Sequence, residues 1–561
     1  MTNAPTTRTA LGRALYRTVR AELAEGTLAA TLRKSVQART LAFAREPTFG
    51  ELLASHAARR PSAELLRFEG RRITIGELDH QANAVAAGLA ELARQGDNVA
   101  ILCPNCPEFL EVFFAIQKLG LGAVPVNTAL VGDSLAHVLS SSRARVAFVH
   151  RDLVGQLAAV RSRLPDLRHL VVIDERDRSP GDDTQTFESL RARHRGAAPP
   201  AVQPDPEAVA LLLYTSGTTG AAKGVVYRYR DSSTKRLQLL SRVLYEPGEV
   251  LYTCLPLFHA NALLLTTIVA LASGAPVALG RRFRASAFWA EARALGATTF
   301  NALGAMIPIL LKQPPGPDDR AHGVRLVVSA ACPEASWRPF EDRFGVRIVE
   351  AYGAVDGGGF VTLNLGDAPV GSIGKPLGGA YRLVDEGGRE AKPGQPGELW
   401  VRAKGAQRVE YYRDEGATLD KTRAGWLRTG DLLRRDARGF LYFVGRRSDS
   451  MRRRGENISA HEVESAIGQH PDVLECAAFG VPSELGEDEV MAIVVPIEGR
   501  AIEPGRLRAF LEGRLPAYAL PRFVEIADQL PKTSTHRVQK GELARRGVTA
   551  RTWDFEKEAR R

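Results

Sequence analysis

A chain of 561 residues is long enough for roughly three or four packing units, which excludes a peptide, a collagen and a single small module. With 44% hydrophobic and 25% charged residues it has the average make-up of a globular protein, so a sizeable buried core is expected and extensive disorder is not. The formal charge of +11 suits nucleic acid, an anionic membrane or an anionic small substrate, and composition does not choose among them.

Residues 1–45 carry eight arginines and lysines against Glu22 and Glu25, while Leu11, Leu15, Val19 and Leu23 recur every fourth residue within the leader at 1–46. This pattern predicts a basic amphipathic leader helix, resting either on a membrane surface or on the protein's own body; an Arg-rich, acid-poor leader also matches a transit peptide. Apolar runs then predict strands at 98–102, 123–126, 146–149, 170–173, 209–214 and 325–329. Helical patterns at 75–92 and 109–119 alternate with them, and the alternation reads as an α/β fold with largely parallel sheets. The polar stretch 174–206 is expected to run over the surface. Residues 250–280 lack Asp, Glu, Lys and Arg, but Pro256, His259, Asn261, Gly274 and Pro276 interrupt them. They predict a short buried helix over 262–272 and a following strand rather than a membrane span. Five cysteines fit a reducing, cytoplasmic setting, and Cys103 and Cys106 are expected to be two buried thiols with no metal between them.

The strand-like run 209–213 leads into Tyr214-Thr215-Ser216-Gly217-Thr218-Thr219-Gly220-Ala221-Ala222-Lys223-Gly224. Glycines let backbone N–H groups approach an anion, hydroxyls add donors and Lys223 supplies a positive charge, so a phosphate-cradling loop is expected. It is not a Walker A loop, because Ala222 and Gly224 flank the lysine.

That loop resembles the signature of the adenylate-forming superfamily of acyl-CoA synthetases, peptide-synthetase adenylation domains and luciferases. Seven further motifs follow in the family's order: LPLFH ending at His259, AYGAVD at 351–356, GEL at 397–399, GWLRTGD at 425–431, GRRSD at 445–449, RRRGENIS at 452–459, and PKT at 531–533. The resemblance spans roughly residues 47–543. It implies a large N-terminal ATP- and acyl-binding α/β domain at 47–444, a small mobile α+β domain at 445–543 and a basic tail at 544–561, with the active site between the two domains.

The resemblance also implies residue roles. The loop from Thr215 through Ser216, Gly217, Thr218, Thr219 and Gly220 to Lys223 would hold phosphates, Tyr352 and Gly353 would lie at adenine, Asp431 would accept from ribose hydroxyls, and Arg446 would reach ribose or phosphate. His259, Asn261, Asn301 and Gly304 would border the acyl group, Gly455 would line the pantetheine tunnel, and Asp356 would hold Mg2+. Four positions depart from the family. Asp356 replaces Glu, Val355 replaces Thr, Ser448 stands at the hinge, and Arg537 stands where a lysine bridges carboxylate and α-phosphate, with Lys540 as a nearby substitute. These departures bear on rate and leave the fold untouched.

Local stretches resemble the fatty acid transport proteins and very-long-chain acyl-CoA synthetases, with crotonobetaine/carnitine-CoA ligases close. The expected function is therefore an ATP-, Mg2+- and CoA-dependent ligase that activates a fatty acid through an acyl-adenylate, with possible peripheral membrane contact through the leader. A ligase for a small or carnitine-like acid, and a non-catalytic nucleotide- or acyl-CoA-binding homologue, are the alternatives. Nucleic-acid binding, raised by Arg452 to Arg454, is not expected, because aromatics are not interleaved with the basic residues. A peptide-synthetase domain is not expected either, since no carrier segment follows Leu543.

Overall fold

The computed structural model describes residues 47–174, 185–215, 222–231, 233–303, 306–359, 361–366, 368–403, 409–453, 456–482, 488–533 and 538–558. Among these the strands form five sheets. One has seven strands in the order Gln185–Thr186, His169–Ile173, Ala144–His150, Asn98–Leu102, Gly122–Pro125, Val209–Thr215, Lys223–Arg228. All its pairings are parallel except the last, which is a hairpin. Parallel strands are buried on both faces, which is why Asn98–Leu102 is a continuous buried run. Helix Ile75–Leu89 starts at a capping box in which Thr74 and Glu77 satisfy each other's backbone N–H groups, and helix Pro107–Lys118 starts with proline, whose missing N–H costs nothing there.

The second sheet has nine strands, with a parallel centre from Arg347–Tyr352 through Leu326–Ala330, Thr299–Leu303, Leu251–Thr253 and Val277–Leu279 to Glu64–Phe68. One apolar core, including Phe113, Phe114, Leu211, Leu251 and Phe300, joins residues of both parallel sheets. A third, antiparallel sheet of five strands packs Leu399, Val401, Leu427, Leu433 and Leu441 in a core of its own. Beyond residue 449 come the hairpin Ser450–Arg453/Glu456–Ser459 and a four-stranded mixed sheet, with separate cores. This is the adenylate-forming α/β architecture: a large N-terminal domain and a smaller C-terminal one.

The expected strands are present, each within one or two residues of its expected bounds. Two expectations need correction. The apolar helix expected at 262–272 opens as a π-helix over Asn261–Ile268 and becomes α-helical only at Val269–Ser273; Thr266 and Thr267 hydroxyls donate to carbonyls five residues back, supporting the wider turn. Residues 544–561, expected as a tail, include Trp553–Asp554, which pairs with Phe523–Ile526 and brings Asp554 to Arg522. Arg453, one of the basic residues that raised nucleic-acid binding, is 6% exposed; it lies 2.6 Å from Glu489 and donates to the carbonyls of Tyr518 and Leu520. No described helix is long and apolar enough to cross a membrane, and the leader lies outside the described residues.

Candidate active site

Asp431 sits on strand Trp426–Arg435, opposite Arg446 on Leu441–Arg446. Gly430 just before it has φ of 78°, a left-handed conformation that glycine adopts without strain. The Thr429 hydroxyl accepts the Asp431 N–H at 3.1 Å and donates to the Leu399 carbonyl at 2.8 Å, so the carboxylate springs from a braced turn. Arg446 Nε lies 3.3 Å from Asp431 Oδ1. From the nine-stranded sheet, Tyr352 donates its hydroxyl to Asp431 Oδ2 at 2.5 Å, so two sheets meet at one carboxylate. Burial pushes the Asp431 carboxyl above its usual range, Arg446 and the Tyr352 hydroxyl pull part of the way back, and Asp356 adds to the rise. The Tyr352 hydroxyl is raised as well, by burial first and then by Asp431.

Thr215 and Lys223 are register partners, and the Thr215 hydroxyl donates to the Lys223 carbonyl at 3.4 Å. The hairpin thus closes both ends of the expected phosphate loop, whose Ser216, Gly217, Thr218, Thr219 and Gly220 lie outside the described residues. Lys223 Nζ lies 5.4 Å from the Tyr411 ring centre and 4.0 Å from Asp414. A cavity of about 250 Å³ opens beside it, lined by charged residues of both signs, Lys223, Lys421 and Arg428 with Glu398 and Asp420, and by Tyr411.

Asp356 accepts from the Tyr411 hydroxyl at 2.9 Å and from Lys421 Nζ at 2.7 Å, both at Oδ2. Burial raises its carboxyl, but the Lys421 ammonium and the Tyr411 hydroxyl outweigh burial and hold it below the usual range, so it is ionised at neutral pH. The described residues contain no cluster of three metal-ligating side chains. A single ionised carboxylate fits Mg2+, which is commonly held by one or two carboxylates together with substrate phosphates.

The C-terminal ends of the parallel strands, where ligands of α/β sheets generally bind, carry the residues expected to border the acyl group. His259 follows strand Leu251–Thr253, its ring 4.7 Å from that of Phe258, and burial pushes its pKa down to about 4, so the imidazole is neutral at pH 7. Asn301, on the neighbouring strand and 5% exposed, donates to Asn261 Oδ1 at 3.0 Å and to the Thr266 hydroxyl at 3.1 Å. Gly304 lies outside the described residues, as do Gly455 and Arg537, while Gly353 is exposed beside Tyr352. Lys540, the nearby substitute, has its ammonium 2.7 Å from Glu464 on helix Ala460–Gly468.

Sequence reasoning passed over three residues here. Asn105 donates to the carbonyls of Leu255 and Gly280, both at 2.9 Å, and accepts the Leu257 N–H at 2.8 Å, pinning the segment that leads to His259. Its position between Cys103 and Cys106, whose buried sulfurs lie 3.3 Å apart, drew attention to the thiols instead. Tyr411 and Lys421 belong to no motif. Only the proximity of Lys421 to Gly425 and Trp426 hinted at it.

Two family models match the chain: AMP-binding enzyme over residues 53–411 and AMP-binding enzyme C-terminal domain over residues 462–537. A sulfoacetate–CoA ligase of Cupriavidus necator is 33% identical over 88% of this chain and 97% of its own, and a steroid-22-oyl-CoA synthetase of Rhodococcus jostii is 35% identical over 84% and 86%. The crystal structure of the anthranilate CoA ligase AuaEII in complex with anthranoyl-AMP superposes with a TM-score of 0.80 at 26% identity, covering 89% of this chain and 97% of that one. With both halves of the fold matched and relatives of this closeness along most of its length, the chain belongs to the adenylate-forming AMP-binding enzymes, as an AMP-forming acid–CoA ligase that works with ATP, Mg2+ and CoA.

Proposed function

We propose that this ligase activates a fatty acid, with the nucleotide held where Tyr352, Asp431 and Arg446 converge. The observation that carries the nucleotide placement is the shared carboxylate: Asp431 Oδ1 faces Arg446 and Oδ2 faces Tyr352. Each carboxylate oxygen retains a further acceptor site for a ribose hydroxyl. Tyr352 and Gly353 lie against adenine, and the loop from Thr215 to Lys223 takes the terminal phosphates into the cavity beside Lys223. Asp356 holds Mg2+, which supplies charge neutralisation on the phosphates. The acid's carboxylate oxygen attacks the α-phosphorus and pyrophosphate leaves; the CoA sulfur then attacks the acyl carbon and AMP leaves. Arg537 stabilises charge in the first step, and Gly455 borders the pantetheine path in the second. Lys223 and Arg446 act by positioning and by electrostatics.

For the acid, a neutral His259 beside Phe258 supports an uncharged, apolar chain. Leu264, Leu303 and Val328 pack partly buried around the same strand ends. A lipid-like acid agrees with a leader that rests on a membrane surface. Residues 47–444 and a small domain from 445 onward act as two units, the second changing orientation between half-reactions. One observation favours a second reading: the Asn301–Asn261–Thr266 hydrogen-bond ladder offers polar groups suited to a small or carnitine-like acid.

Acid-dependent ATP–pyrophosphate exchange over acids from acetate to very long chains, with carnitine included, tests this. Exchange that rises with chain length is the expected result. A peak at short or zwitterionic acids sinks the fatty-acid reading, and silence with every acid alongside ATP binding leaves a binding homologue.

A further inference from the structure

We infer that Lys421 is a phosphate-binding residue of this ligase, a cation built into the place that Asp356 marks for Mg2+. The inference rests on the nucleotide placement proposed above. Lys421 closes helix Glu415–Lys421, and its side chain, 16% exposed, reaches Asp356 Oδ2 at 2.7 Å. It lines the same cavity as Lys223, the cation of the phosphate loop. Tyr411 stands between the two lysines, its ring below Lys223 and its hydroxyl on the carboxylate oxygen that Lys421 also touches.

The charge arithmetic follows from these contacts. A bare carboxylate in a pocket for a polyphosphate repels it, and a divalent cation must bridge the two. Here the ammonium neutralises the carboxylate from within the protein, which leaves less attraction for Mg2+ at Asp356. At the same time it places a positive side chain, with Lys223 and Arg428, on the wall of a cavity that Glu398 and Asp420 also line. When ATP enters, an ammonium with three donors can keep Asp356 with one and give another to a phosphate oxygen. ATP binding in this chain therefore depends less on Mg2+ than it would with an unpaired carboxylate, and Lys421 discriminates ATP from AMP through the terminal phosphates.

The test is calorimetric titration of the full chain with ATP in EDTA, with ATP plus Mg2+, and with AMP, for the unaltered protein, Lys421→Met and Asp356→Asn. Lys421→Met is expected to weaken ATP binding in EDTA about tenfold while changing AMP binding less than about twofold. Asp356→Asn, which frees the ammonium from its carboxylate, is expected to tighten ATP binding in EDTA, the opposite sign. If Lys421 only braced the fold, both variants would shift ATP and AMP alike and lower the melting temperature together; that result, or ATP affinity in EDTA unmoved by Lys421→Met, overturns the inference. An unaltered protein that bound neither ATP nor AMP would instead overturn the nucleotide placement itself.

Discussion

Asp431 and Arg446 are register partners on antiparallel strands, and their side chains meet at 3.3 Å on the same face, so the ladder itself delivers the pair. Burial raises the Asp431 carboxyl, so the native state binds its proton more readily than the unfolded chain does. This group's contribution is complete below the ordinary value of 3.8 and is lost as pH rises through the higher folded value. Asp431→Asn, which cannot titrate, is expected to gain stability relative to the unaltered protein as pH rises towards neutrality. It is also expected to lose about tenfold or more in affinity for both ATP and AMP. Melting temperatures across pH, together with nucleotide titrations, check both signs.

His259 is neutral at working pH because burial disfavours its charged form, and the native ring binds a proton less readily than the unfolded one. Its contribution to stability is held above 6.5 and lost as pH falls towards about 4. His259→Phe is expected to hold stability better over that interval. It is also expected to leave the pH profile of kcat/KM unchanged between about pH 6 and 8 while shifting KM for the acid. Loss of a titration from the acid limb of the profile in the variant would show that the imidazole exchanges a proton in the reaction.

Asn301 donates to two acceptors from a buried position. Asn301→Ala is expected to destabilise by about 1–3 kcal/mol in chemical denaturation, because Asn261 Oδ1 and the Thr266 hydroxyl lose their shared donor. For an alkyl substrate the variant's KM falls or holds steady. A KM that rises only for polar acids would place the acid's polar group on this amide ladder.

Asn105 satisfies three main-chain groups of segments that are distant in sequence. Asn105→Ala is expected to cost about 3 kcal/mol. KM for the acid should worsen more than KM for ATP, since the released segment leads to His259. Equal effects on both constants would mean general loosening.

The parallel sheets were legible because their strands are short, uniformly apolar and separated by amphipathic helices, as Asn98–Leu102 and Ile75–Leu89 show. The convergence of Tyr352 with Asp431 was not legible: it depends on two sheets meeting, and no local pattern encodes a contact at a sequence separation of 79. The π-helix at Asn261–Ile268 was missed because its apolar run reads equally well as an α-turn, and the Thr266 and Thr267 back-bonds that widen it involve no special spacing. Lys421 was invisible for a related reason. A lysine in the last turn of a helix has an ordinary explanation in the helix dipole, and only the fold brings Asp356 under it.

Lys312, just beyond helix Met306–Leu311, extends its ammonium to the carbonyls of Val473 and Leu474, the latter at 3.3 Å, at the start of a strand in the small domain. Burial lowers its pKa, so the contact sets a partly desolvated charge against two peptide dipoles. Main-chain oxygens are present whatever side chains occupy positions 473 and 474, so sequence drift in that strand leaves the latch intact, whereas loss of Lys312 removes it outright. One side chain of the large domain thus tethers main chain of the small one, alongside contacts such as that of the Ser459 hydroxyl with the Val444 carbonyl.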